Sequence, residues 1–165
     1  MNTISIQIEA ILNSRPLTPM TNDPADYEAI TPGHFLIHRP LTAVPEPSKE
    51  HIPENHLSRW QRTEVFYERI WKRWSSQYLS DLHNRTKWTR KRNNIAVGTM
   101  VLLKEDNLPP LQWALGRVTK IYPGPDGNIR VIDVKTKDSQ FQRGIQKICV
   151  LPIKDNIDDP VQQEN

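Results

Sequence analysis

The chain has 165 residues, a formal net charge of +3, 36% hydrophobic residues and 14 prolines. That composition supports one modest core with long extended stretches, and no apolar run approaches the roughly 20 residues of a membrane-spanning helix. Cys149 is the only cysteine, which excludes an internal disulfide and a thiolate zinc cluster and makes a reducing compartment the expectation. The N-terminus also lacks the charged and apolar regions of a signal peptide, so a soluble intracellular chain with no membrane partner is expected.

The charge is mild in total and uneven along the chain. Between Arg59 and Arg92 ten Lys and Arg stand against three acids, Glu64, Glu68 and Asp81, a balance of +7. The flanks are acidic: six carboxylates lie between Asp23 and Glu54, and Asp155, Asp158, Asp159 and Glu164 follow Lys154. A basic centre between acidic ends points to a polyanionic partner for the centre.

Taken in order, residues 3–15 place Ile4, Ile8, Ile11 and Leu12 on one helical face, and Ser14-Arg15-Pro16 ends the helix because the residue before proline is driven out of the α region. A lone amphipathic helix cannot bury its own stripe. Either it docks on the rest of the chain or it belongs to a larger domain. Residues 16–57 hold eight prolines and read as an extended strap, suited to lying across a partner surface. Within it, Thr31-Pro32-Gly33-His34-Phe35-Leu36 reads as a cap and one or two helical turns with proline at the first position.

Residues 57–88 form the longest predicted helix, opened by Ser58 and Gln61 in capping-box spacing. Trp60, Phe66, Tyr67, Ile70, Trp71, Trp74, Tyr78 and Leu82 recur at spacings of three and four, first of all a face packed on protein. The opposite face carries Arg62, Arg69, Lys72, Arg73 and Arg85, and reads either as a solvated face or as a phosphate-contacting one. The basic junction 87–94, KWTRKRNN, reads as a linker, a nuclear-import signal or a phosphate clamp.

From Ile95 the period changes to that of short strands. Residues 97–103 read as a turn and strand, 112–122 and 128–136 as the arms of a hairpin, 141–148 as a fourth strand, and Val150-Leu151 as a short closing strand or 3₁₀ turn. Asp126-Gly127 marks the hairpin turn, since glycine takes positive φ at no steric cost. Four or five antiparallel strands in so short a stretch suggest a small SH3-like barrel. After Ile153 the acidic tail is expected to be disordered.

No catalytic constellation emerges. Two-metal nucleotidyl transfer needs converging carboxylates, whereas Glu9 stands alone on its helix and Asp23 and Asp26 lie in the strap. His34 and His38, like His51 and His56, lack zinc-spaced companions, and Cys149 sits in an apolar strand. Neither a metal nor any other cofactor is expected.

Several stretches together resemble the C-terminal part of integrases from Pao/BEL-type LTR retrotransposons. They are IEAILNSRPLTP (8–19), ITPGHFL (30–36), the helix 59–88, VGTMVLLKEDNLPPLQWALGRV (97–118) and YPGPDGNIRVIDVKT (122–136). The resemblance implies an α+β organisation: a remnant last helix of an RNase H-like core (1–20), a Pro-rich connector (21–57), a basic aromatic linker helix (58–94), a small SH3-like barrel (95–153) and an acidic tail (154–165). It places the two Asp and one Glu that hold metal in such integrases upstream of these residues, so the chain is expected not to be an enzyme. It further implies non-specific binding of duplex DNA in the nucleus, associated with DNA integration. The cations expected to contribute are Arg62, Arg69, Lys72, Arg73, Arg85 and Lys87 on the helix and Arg90, Lys91 and Arg92 at the junction. In the barrel they are Lys104, Arg117, Lys120, Arg130 and Lys135, with Lys137 and Arg143 beside them. A different class of reading, self-association or docking on other integrase segments, would use Trp71, Trp74 and Tyr78 as an assembly surface.

Overall fold

The structure is a computed structural model that describes residues 2–44, 46–89, 95–105, 108–125 and 127–151. The acidic tail and Arg90, Lys91 and Arg92 lie outside these, as do Asp126 of the hairpin turn and the last two residues expected in the barrel. The fold is α+β, a long helix followed by a five-stranded antiparallel sheet.

Helix α1 (Asn2–Asn13) packs against the long helix and its Ile11 is fully buried, so this amphipathic helix docks on its own chain. Leu12, expected on the buried face, is instead exposed. The helix end is closed locally. Ser14 Oγ donates to the Ile11 carbonyl at 2.8 Å and Arg15 to the Leu12 carbonyl at 2.9 Å, satisfying acceptors that a helix terminus otherwise leaves open.

The strap is more ordered than its prolines suggest. β1 (Thr18–Pro19) and β2 (Ala29–Ile30) pair antiparallel, and α2 (Pro32–Ile37) follows with proline in its first turn. His34 Nδ1 accepts the Thr31 N–H at 3.0 Å, and His38 ends the helix in the left-handed region at φ 57°. A 3₁₀ turn (Glu54–His56) then leads into α3 (Arg59–Thr89), 31 residues long. The expected capping box is present: the Ser58 N–H donates to Gln61 Oε1 at 2.9 Å, and the Gln61 N–H to Ser58 Oγ at 3.3 Å.

The sheet comprises β3 (Met100–Leu103), β4 (Leu115–Pro123), β5 (Ile129–Lys135), β6 (Gln140–Gly144) and β7 (Ile148–Val150), in the order β6-β5-β4-β3-β7. The predicted fourth strand stops at Gly144, where a 3₁₀ turn (Ile145–Lys147) folds against β5 and delivers β7 to the far edge beside β3. Alternation along the strands splits the core into two layers. Met100, Leu102, Cys149 and Leu151 pack with Leu79 and Leu82 of α3 and Ala29 of the strap. Val101, Leu103, Val118, Ile132, Val134 and Ile148 pack together on the other face. All four residues of β3 are therefore buried. β6 and β7 stand at opposite ends of the strand order and form the two edges of the sheet.

Gly116 permits the tight β4–β5 approach: a Cβ there would stand 2.4 Å from Val134 Cγ1, far inside van der Waals contact. A register shift between Val118 and Lys120 bulges β4, so Arg117 faces Lys135 and Lys120 faces Asp133. Because partners in register share a face, the bulge puts Arg117 and Lys120 on the same side of the sheet. A second register shift, between Tyr122 and Pro123, leaves Arg130 as the extra residue of β5 between Ile129 and Val131, where it is exposed. In the hairpin loop the Gly127 N–H donates to the Gly124 carbonyl at 2.9 Å, and Gly127 takes φ 70°, as the sequence predicted for this glycine.

Candidate nucleic-acid interface

Two of the helix cations pair with acids of the strap. Arg69 pairs with Glu54 at 3.2 Å and Lys72 pairs with Glu50. Lys49, in the strap, pairs with Glu64 of α3 at 2.5 Å, and Ser48 donates to Glu68 at 2.7 Å. That hydrogen bond from Lys49 pulls the Glu64 carboxyl below its ordinary range, and Glu64 raises the Lys49 ammonium above its own. The strap is thus laid across the chain's own helix, and its acids partly neutralise the helix face. Arg62 donates through Nε to the Leu57 carbonyl at 3.2 Å, and both Arg62 and Arg73 are exposed. Arg85 and Lys87 lie on the last turns of α3, with only their helical backbone described.

Arg117 corrects the expectation most clearly. Its side chain is buried at 7% exposure. Nε donates to the Asp26 carbonyl at 2.9 Å, one terminal nitrogen to the Thr21 carbonyl at 2.9 Å and the other to the Gly98 carbonyl at 3.1 Å. All three acceptors are backbone oxygens turned inward, so this guanidinium is a clasp between the strap and the sheet and does not reach a phosphate. The Thr21 hydroxyl and the Glu28 N–H, followed by the charge of Arg117, hold the Asp26 carboxyl below its usual range.

Other sheet cations are exposed or half-buried. Lys120 lies over Tyr122, Nζ 4.9 Å from the ring centroid, and the Tyr122 hydroxyl donates to Asp133 at 2.8 Å. Lys135 and Lys137 are exposed, as is Arg130. Arg143 pairs with Glu105 at 3.1 Å and covers the Phe141 ring.

The aromatic stripe is a packed face, with a partner the sequence did not name. Trp113, just before β4, meets Trp71 edge-on with centroids 5.0 Å apart, Trp74 at 5.9 Å and Tyr78 at 5.6 Å, while Trp74 and Tyr78 stack at 7°. The polar edges are satisfied: Trp71 Nε1 donates to the Leu108 carbonyl at 2.9 Å, the Tyr78 hydroxyl to the Pro16 carbonyl at 3.1 Å, and Trp113 Nε1 to Ser14 Oγ at 3.3 Å. Trp71 is accordingly buried within the chain, while Trp74 and Tyr78 are half-buried in the same cluster. Trp60 and Phe66, counted in the same stripe, stand exposed instead.

Beside this cluster a cleft of about 370 Å³ opens between α3 and the end of β3. Lys72, Lys104 and Lys147 line it together. Lys147 escaped the sequence reading, because a single lysine in a short 3₁₀ turn carries no pattern. Only the fold brings it beside Lys104, whose N–H donates to the Lys147 carbonyl at 2.9 Å. Cys149 lies on the buried side: its thiol donates to the Leu79 carbonyl at 3.1 Å, and burial pushes its pKa up to about 11. Among the described residues no group of three or more His, Cys, Asp or Glu is placed to hold a metal ion, and no helix is long and apolar enough to cross a membrane.

Residues 58–151, from the cap of α3 to the residue after β7, match the model of a family of unknown function, DUF5641. The chain belongs to the DUF5641 family. No curated protein and no solved structure matches it. The DUF5641 span contains α3 and the sheet but not the strap, although the strap supplies two of the three carbonyls that hold Arg117.

Proposed function

We propose that this DUF5641 chain is a non-catalytic, nucleic-acid-binding segment of a Pao/BEL-type integrase, gripping duplex DNA in the nucleus through phosphate contacts that do not read sequence. The observation that carries the reading is the docking of α3 along β7, with Leu79 and Leu82 buried against Cys149 and Leu151. It makes the basic end of the helix and the cations of the sheet parts of one body, so both can face one polyanion. The order of the motifs along the chain supports the integrase origin.

Binding is tested by fluorescence anisotropy of the full chain on a random-sequence duplex across a salt series. Arg69 and Lys72 hold the strap, so the informative variant changes Arg85, Lys87, Arg90, Lys91 and Arg92 to Gln. Wild type is expected to show a steep negative slope of log affinity against log salt, and the variant a slope shallower by up to about 4.5. Equal slopes would overturn the assignment to the helix end, and no binding at near-physiological salt would overturn the reading itself.

A further inference from the structure

The cleft between α3 and β3 combines two chemistries. Lys72, Lys104 and Lys147 reach it from three different elements, and Trp113, Leu79 and Leu108 supply apolar wall. Among the described residues its one lining carboxylate is Glu105, which is paired with Arg143. Lys72 is shared with Glu50, but both side chains are partly exposed (40% and 30%), and such a surface pair yields readily to a phosphate.

The walls are held in place before any ligand arrives. The Lys104–Lys147 backbone hydrogen bond ties the end of β3 to the 3₁₀ turn, and Trp71 Nε1 holds the Leu108 carbonyl further along the same connection. A bare phosphate would leave the apolar wall uncovered, and an aliphatic ligand would leave the Lys104 and Lys147 ammonium groups without a counter-charge. The volume of about 370 Å³ falls in the range of small-ligand pockets.

We infer that this cleft seats one unpaired nucleotide of a nucleic-acid strand, its phosphate among Lys72, Lys104 and Lys147 and its base against the apolar wall. This rests on the nucleic-acid reading above and refines it. A base inside a duplex reaches such a cleft only by leaving its stack, whereas a single strand or an overhang offers one at no such cost. The chain therefore prefers unpaired to fully paired nucleic acid.

The test measures affinity of the full chain for a labelled oligo-dT strand and for a blunt duplex of equal length, at one salt concentration. Wild type and a Lys104→Gln, Lys147→Gln double variant, matched for thermal melting, are compared. Wild type is expected to favour the single strand by at least about tenfold, with the ratio of the two affinities collapsing toward one in the variant. Oligo-dT should quench tryptophan fluorescence in wild type, and thymidine monophosphate should compete; these two readouts need no variant to fold. Duplex binding with no single-strand advantage overturns the cleft assignment and leaves the nucleic-acid reading intact. Failure to bind either form overturns both. Competition by poly-glutamate as effective as that by the oligonucleotide overturns the nucleotide assignment in favour of a general polyanion site.

Discussion

At the scale of single residues, charge type was readable in the chain and charge placement was not. Arg117 shows the difference, because its neighbours Val118 and Lys120 read as strand and its cation as surface. Its carbonyl partners at Thr21 and Asp26 lie more than ninety residues away. Replacing Arg117 by Met removes three charge-assisted hydrogen bonds and orphans inward-facing carbonyls, so it is expected to cost about 3 kcal/mol in denaturant unfolding. The folded fraction should keep the wild-type salt slope on DNA. A slope reduced by about one would instead mark Arg117 as a phosphate contact.

At the scale of elements, helices and strands were largely legible and their partners were not. Residues 57–88 announce a helix by spacing and by the Ser58–Gln61 cap, and α3 spans nearly that range. Ile145 and Ile148 continue the apolar pattern of the fourth strand past Gly144, where the 3₁₀ turn ends it. The strap behaves as a clamp on α3, held in part by Lys49 and Glu64. Since the folded Glu64 pKa lies below its ordinary value, its contribution is present above about pH 4.5 and is lost as the pH falls through the folded value. Glu64→Gln is expected to lower neutral-pH stability by about 0.5 kcal/mol and to flatten the acid limb of a stability–pH curve, leaving the part due to Asp26. An acid limb unchanged by the substitution would remove this pair from the account.

For the whole molecule, the family span and the folding unit differ. Residues 58–151 hold the sheet and α3, yet Ile11, Ser14, Pro16, Thr21, Asp26 and Ala29 complete their packing and hydrogen bonds. A chain cut to residues 58–151 is expected to melt at least about 10 °C below residues 1–151 in circular dichroism, because several kcal/mol of packing and capping leave with the N-terminal segment. Equal melting temperatures would show the shorter span to be self-sufficient. From sequence alone came the α+β class, the long capped helix, the organising hairpin and the uneven charge, since propensity, period and turn chemistry act over a few residues. Only the tertiary structure decided which cations are clasps, what covers the aromatic stripe, and that Lys72, Lys104 and Lys147 share one cleft. Those outcomes depend on contacts between distant segments, set by burial and hydrogen-bond satisfaction, which no local pattern encodes.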